Sequence, residues 1–119
     1  METNREKGNI GESLAADYLQ DKGYVILHRN WRRGHWELDL IAEKEGLLHF
    51  IEVKTRTGKI FGFPEERVNK DKIRTLMRAA SAYLETYPER KRFQIDILSI
   101  NLHQKKKPEF LLIEDIYDF

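Results

Sequence analysis

The chain has 119 residues, which is long enough for one domain with a hydrophobic core. It has no cysteine, which excludes disulfides and a cysteine-ligated zinc site. Its 21 lysines and arginines balance 20 aspartates and glutamates, so net charge alone does not indicate a nucleic-acid-binding protein. The first residues are polar, and no apolar run approaches the roughly 20 residues that span a bilayer. We therefore expect a soluble, cytoplasmic protein with a single domain over residues 1–119.

The first half of the chain predicts one helix followed by three strands. In "GNIGESLAADYLQDKGY" the residues Ile10, Leu14 and Tyr18 recur at helical spacing, and Gly23 is a plausible C-terminal stop. Strands are predicted in "YVILHRNWR", "WELDLIAEK" and "GLLHFIEVKTR". Strict alternation along "WELDLIAEK" predicts that one face of this strand carries Trp36, Leu38, Leu40 and Ala42. The opposite face would carry Glu37, Asp39 and Ile41.

The second half predicts a loop, a helix and two strands. The loop is "FGFPEERVNKDK", which contains Gly and Pro. A helix follows because apolar residues keep i, i+3, i+4, i+7 spacing at Ile73, Leu76, Met77, Ala80, Tyr83, Leu84 and Tyr87. Asn69 is its predicted N-cap and Pro88 follows its end. The strands are "RFQIDILSINL" and "PEFLLIEDI". The order αβββαββ predicts a mixed α/β domain with a central sheet.

Two acids on neighbouring strands predict a cation site. If Glu45-Gly46 forms a two-residue hairpin loop, Lys44 lies opposite Leu47 and Asp39 lies opposite Glu52; another loop type would shift this register. Two facing carboxylates repel, and burial increases the cost. A divalent cation that prefers oxygen ligands, Mg²⁺ or Mn²⁺, relieves this repulsion. The predicted metal ligands are Asp39, Glu52 and the carbonyl of Val53.

Lys54 lies on the same strand face as Glu52, because side chains alternate along a strand. Its ammonium is suited to orienting a water molecule or stabilising charge on a phosphate. Glu12, on the first helix, is a third acid that can reach the site. The alternative interpretation of Glu52 and Lys54 is a salt bridge on an exposed strand, which is common.

Basic and aromatic residues near these strands predict contacts with nucleic acid. Arg32, Arg33, Arg56 and Lys59 are candidate phosphate contacts. Trp31 and Trp36 flank "RRGH" and are compatible with base stacking, although core packing is the commoner role. The four histidines are scattered without paired ligand spacing, and we expect most of them to be structural or solvated.

"WELDLIA" followed by "FIEVKTR" resembles the PD-(D/E)xK nuclease core. Nearly the whole chain, from "GNIGESLAADYLQDKGYVILHRNWR" through "VNKDKIRTLMRAASAYL" to "RFQIDILSI", resembles the YraN-type family of small predicted bacterial endonucleases, which are related to Holliday-junction resolvases. The resemblance implies a restriction-endonuclease-like core and a DNA substrate. It also implies four catalytic residues: Asp39 and Glu52 as the main and second metal ligands, Lys54 as the catalytic lysine and Glu12 as the helical acid that supports the metal site. Glu37 matches the acid that precedes the aspartate, and Lys72 matches a basic residue that meets phosphate. A homodimer is compatible with the resemblance, because resolvase-like nucleases cut symmetric junctions as two-fold pairs.

The chain departs from the family pattern at two positions. Trp36 stands where glycine is usual before the acidic motif, and Gln94 stands where aspartate is common, although Asp96 follows. Neither position is a predicted metal ligand, so substrate access is more affected than chemistry. The prediction is a metal-dependent endonuclease that hydrolyses phosphodiester bonds in DNA, including branched or junction DNA. The alternatives are a non-catalytic nucleic-acid-binding module with the same fold and a structural domain whose acids form salt bridges.

Overall fold

The computed structural model describes residues 4–57, 69–89 and 92–116, with only the backbone described at residues 4–8. Two helices and five strands follow in the predicted order αβββαββ, which confirms a mixed α/β fold. Their bounds are α1 Asn4–Asp21, β1 Val25–Arg33, β2 Trp36–Lys44, β3 Leu47–Thr57, α2 Lys70–Thr86, β4 Phe93–Leu102 and β5 Glu109–Ile113.

The five strands form one mixed sheet in the order β1-β2-β3-β4-β5. Only β3 and β4 are parallel, and α2 lies in the connection between them, as a parallel pair requires. The β2–β3 hairpin confirms the predicted two-residue loop, because Lys44 lies opposite Leu47. Glu45 and Gly46 have φ angles of 53° and 78°, and this left-handed pair matches the twist of the flanking strands.

The helices cover opposite faces of the sheet. On what we call the α2 face, Phe50 packs with Leu76, Ala80 and Tyr83 of α2. The next residue along β3, Ile51, belongs to a second cluster on the α1 face. That second cluster contains Ala15 and Leu19 of α1 together with Leu40, Ala42, Leu98 and Ile100 of the sheet. Because both faces are covered, the central strands are buried on both sides, and any polar group placed there requires a partner.

The helix ends agree with the sequence prediction, but two apolar residues of the predicted buried stripes are exposed. Asn69 caps α2 by accepting a hydrogen bond from the Lys72 backbone N–H at 2.8 Å, and Gly23 adopts the left-handed conformation after α1 with φ 93°. Ile10 and Met77 were expected on the buried stripes, but each is 40% exposed. On α1 the small residues make the contact instead, since Ala15 and Ala16 are buried and allow the helix to approach the sheet closely.

The alternation predicted for "WELDLIAEK" is wrong at its centre. Leu38 packs in the α2-face cluster together with Ile41, whereas Leu40 and Ala42 pack in the α1-face cluster. The strand therefore changes face at Asp39, which lies between Leu38 and Leu40.

The predicted loop "FGFPEERVNKDK" covers residues 61–72. Residues 61–68 and the predicted phosphate contact Lys59 lie outside the described residues, whereas residues 70–72 belong to α2. Neither helix in the described part of the chain has an apolar stretch long enough to cross a membrane.

Candidate active site

Asp39 lies where the regular pairing of β2 is interrupted on both sides. The β1–β2 pairing passes from Trp31–Leu38 to Arg29–Leu40 and omits Asp39, opposite Asn30 with its left-handed φ of 53°. The β2–β3 pairing ends at Leu40–Ile51, one position before the predicted Asp39–Glu52 pair. Instead of a strand partner, Asp39 uses its side chain: Oδ2 accepts a hydrogen bond from the Val53 N–H at 2.8 Å.

This interruption places two carboxylates in one partly enclosed site. Glu52 is only 8% exposed and lies on the α2 face of β3. The pKa of Asp39 is raised from 3.8 to about 7, first by burial, then by the negative charge of Glu52 and a hydrogen bond with it, with a smaller contribution from the charge of Glu12. The Val53 N–H opposes this rise because it stabilises the ionised form. Asp39 and Glu52 are therefore close enough for the charge of Glu52 to disfavour ionisation of Asp39.

Two lysines approach Glu52 from different elements. The Nζ of Lys72, in the first turn of α2, lies 2.7 Å from Oε2 of Glu52. The Nζ of Lys54, two residues along β3, lies 4.0 Å from the same oxygen. Burial lowers the pKa of Lys72, but its hydrogen bond and charge interaction with Glu52 and the charge of Asp39 outweigh this, so the net pKa is raised. The site thus brings together two acids and two cations.

The helix α1 approaches β3 unusually closely at the residue before Glu12. A Cβ atom added at Gly11 would lie 2.0 Å from Oγ1 of Thr55, which leaves room only for glycine. The following residue, Glu12, is partly buried, and its charge acts on Asp39. Of the four residues predicted to be catalytic, Asp39, Glu52 and Lys54 lie together on β2 and β3, whereas Glu12 on α1 acts on Asp39 only through its charge.

The predicted phosphate contacts lie in three different surroundings. Arg32 forms an ion pair with Glu37 at 3.2 Å, with both side chains exposed. Arg33 donates to the Ala82 carbonyl at 2.8 Å and contacts Glu85 at 2.9 Å, near the C-terminal end of α2. Arg56 is partly buried near the end of β3. Lys72, assigned to phosphate by resemblance, instead contacts Glu52 in this structure, so it belongs to the acidic site itself.

A second buried polar cluster was missed by the sequence reasoning. His49 Nδ1 lies 2.7 Å from Oδ2 of Asp96, and both side chains are buried. The other carboxylate oxygen, Oδ1, accepts from Gln94 Nε2 at 2.8 Å and from the Asp115 N–H at 2.9 Å. Only the parallel β3–β4 register, which pairs His49 with Gln94, brings these residues together, and a scan for local ligand spacing cannot detect it.

The cluster also contains ligand types found in metal sites. His49, Asp96 and the exposed Glu114 each offer an atom within 4.8 Å of the others. However, both oxygens of Asp96 already accept N–H donors, which is how a buried carboxylate is satisfied without a cation. We therefore interpret this cluster as the tie that joins the C-terminal segment to the sheet.

Comparison with known proteins identifies the family. A family model described as "Uncharacterised protein family UPF0102" matches residues 11–100, a range that includes both acids, both lysines and Glu12. A UPF0102 protein of Bacteroides thetaiotaomicron is 48% identical over 97 residues, covering 82% of this chain and 75% of that protein. One from Syntrophomonas wolfei is 52% identical over 85 residues, covering 71% and 74%, and one from Dictyoglomus thermophilum is 41% identical over 105 residues, covering 87% and 89%. The chain belongs to the uncharacterised protein family UPF0102.

Proposed function

We propose that this chain is a metal-dependent endonuclease with a restriction-endonuclease-like core, and that it hydrolyses phosphodiester bonds in DNA. One observation carries the proposal: Asp39 and Glu52 share a partly enclosed site in which the pKa of Asp39 rises to about 7. Placing two carboxylates side by side in a buried site costs folding stability, which supports a functional role for the pair. The DNA substrate rests on the resemblance to nucleases rather than on the geometry.

The donor atoms of the site fit a hard divalent cation. Asp39 and Glu52 supply carboxylate oxygens, and Val53 lies beside them because its N–H contacts Asp39. Carboxylates and backbone carbonyls are the ligands that Mg²⁺ and Mn²⁺ prefer, and none of the described residues around the pair offers a thiolate or imidazole to this site. When bound, the cation supplies Lewis-acid polarisation of the phosphate and neutralises the developing charge.

The remaining residues of the site act on water and phosphate. Lys54 is 39% exposed at its side chain, so its ammonium is accessible to substrate while it remains 4.0 Å from Glu52. It positions the attacking water and stabilises negative charge on the phosphate oxygens. Lys72 holds Glu52 in place through the 2.7 Å contact. Glu12 adds a further negative charge that favours a cation at Asp39.

The test is cleavage of plasmid, flap and junction DNA by the purified protein in Mg²⁺ or Mn²⁺. Asp39→Asn and Glu52→Gln should each reduce the rate by more than the roughly 100-fold that loss of an outer-shell metal contact costs. Asp17→Asn, which removes an exposed carboxylate on α1, is the matched control and should cleave normally. Equal cleavage by all four proteins would refute the assignment. Light scattering on the same samples tests whether the protein forms the homodimer that is compatible with the resemblance.

A specific observation favours a second candidate, the non-catalytic nucleic-acid-binding module. Lys72 already neutralises the charge of Glu52, and Asp39 is neutral when it is protonated, so the pair of acids needs no metal ion for charge balance. Under this alternative the wild-type protein cuts none of the substrates. It would also bind no Mn²⁺ in an electron paramagnetic resonance titration, whereas the nuclease binds Mn²⁺ and loses that binding in Asp39→Asn.

A further inference from the structure

A cavity of about 440 Å³ lies between the β1–β2 hairpin and the C-terminal half of α2. The hairpin supplies the residues 33–36, including His35 and Trp36, and α2 supplies Arg78 and Ser81 among others. None of the predicted catalytic residues lines it, so it is distinct from the acidic site.

The walls of the cavity are held in place by Arg33. Its guanidinium bridges the hairpin to α2 through the Ala82 carbonyl at 2.8 Å and Glu85 at 2.9 Å. Because Arg33 neutralises Glu85, that carboxylate does not dominate the charge of the cavity. Arg78 is exposed, and among the described residues it has no hydrogen-bond or ion-pair partner, so its cation is available to a ligand.

The hairpin side of the cavity is aromatic. The rings of His35 and Trp36 lie 4.1 Å apart between centroids at an angle of 42°. Trp36 is also packed against the α2-face core, which fixes its position. An aromatic wall beside an unpaired arginine is the combination that binds a nucleobase by stacking and its phosphate by charge.

The distance from the cavity to the acidic site can be counted in residues along β2 and along α2. Trp36 precedes Asp39 by three residues on β2, which is about 10 Å of strand. Arg78 follows Lys72 by six residues on α2, which is about 9 Å of helix. In a stacked strand that rises about 3.4 Å per nucleotide, such a distance corresponds to about three nucleotides.

We propose that this cavity binds one unpaired nucleobase of the DNA substrate and an adjacent phosphate, about three nucleotides from the bond that is cut. This inference rests on the proposed function for its substrate. A base within a duplex is stacked and paired, so it cannot enter a cavity without being extruded. The enzyme therefore prefers DNA with a single-stranded segment, such as a flap or an open junction, over blunt duplex.

Binding is measured by fluorescence anisotropy in EDTA, where no cleavage occurs, with a flap DNA and a blunt duplex. Loss of stacking in His35→Ala should weaken flap binding about tenfold, within the range for one base on an aromatic side chain, and leave duplex binding unchanged. Trp36→Leu should behave similarly, and thermal melting verifies that it folds. Arg78→Ala should also weaken flap binding and reduce its salt dependence by about one phosphate contact.

Two controls make the result specific. Arg74→Ala removes the same charge from the same helix, but Arg74 does not line the cavity and pairs with Asp71 at 3.6 Å, so flap preference should persist. A single abasic site is moved along the flap, one nucleotide at a time. At the position whose base enters the cavity, His35→Ala should no longer weaken flap binding. If His35→Ala weakens flap and duplex binding equally, or no abasic position matters, the inference is overturned. Because binding is read without metal, failure of the nuclease proposal appears separately, as absence of cleavage in Mn²⁺.

Discussion

Replacing Asp39 by asparagine should stabilise the metal-free protein at alkaline pH. The folded protein holds the pKa of Asp39 at about 7, whereas the unfolded chain has the ordinary value of 3.8. Between these two values the folded state binds more protons than the unfolded state, so stability falls as the pH rises. A difference of this size corresponds to a cost of about 4 kcal/mol above pH 7, at about 1.36 kcal/mol per pH unit. Asparagine avoids this cost because it is neutral.

The assay is urea unfolding in EDTA at pH 5 and pH 8. Between these values the wild-type protein should lose about 3 kcal/mol of stability more than Asp39→Asn loses, because most of the titration lies in this range. Asp17→Asn, which removes an exposed carboxylate, should show the wild-type slope. Glu52→Gln should flatten the slope only partly, since burial is the largest cause of the Asp39 pKa and the charge of Glu52 is the second.

One result would refute this reasoning: an identical change in stability for the wild-type protein and Asp39→Asn between pH 5 and pH 8. Asp39 would then ionise in the folded protein as it does in water, and the argument that two carboxylates repel each other in a buried site would fail. Addition of Mn²⁺ should also raise the stability of the wild-type protein at pH 8 more than that of Asp39→Asn, because a ligand that binds only the folded state stabilises it.

Two further substitutions test the contact between α1 and β3 and the buried tie at Asp96. Gly11→Ala should destabilise the protein by about 1–3 kcal/mol through overpacking against Thr55, and Thr55→Ala should reverse the loss in thermal melting. A more stable Gly11→Ala variant, as is usual for glycine in a helix, would contradict the close contact. Asp96→Ala should cost about 3 kcal/mol in urea unfolding, because it leaves the buried His49 and two partly buried N–H donors without an acceptor. The exposed Glu114→Ala should stay within about 0.5 kcal/mol of wild type, and a similar effect of both would argue against a buried tie.

Much of the fold follows from local signals in the sequence. The apolar repeat of α2 predicts its buried face at Ile73, Leu76, Ala80 and Tyr83, and all four are buried. The Glu45-Gly46 pair fixes the hairpin register, because only a few loop types join two antiparallel strands with two residues. Counting outward from this loop places Asp39 next to Glu52, so the acidic pair was accessible to sequence reasoning alone.

The strand position of Asp39 was not accessible, because it depends on a neighbouring strand. Strict alternation assigns Leu38 and Leu40 to one face, yet they pack on opposite faces of the sheet. The change of face occurs opposite Asn30, whose left-handed backbone belongs to β1. An irregularity in one strand thus alters the direction of side chains in its neighbour, and no pattern within β2 records it.

By itself, the sequence determined the order of elements, the β2–β3 register and the proximity of Asp39 to Glu52. Helical periodicity and a two-residue turn depend only on residues that are close in the sequence. Only the tertiary structure decided which cation neutralises Glu52 and which partner satisfies Asp96. Lys72 and His49 reach these carboxylates through the packing of α2 on the sheet and the parallel pairing of β3 with β4. Lys72 is 20 positions from Glu52 in the sequence, and His49 is 47 positions from Asp96. Whether these contacts form depends on how the whole chain buries its apolar surface.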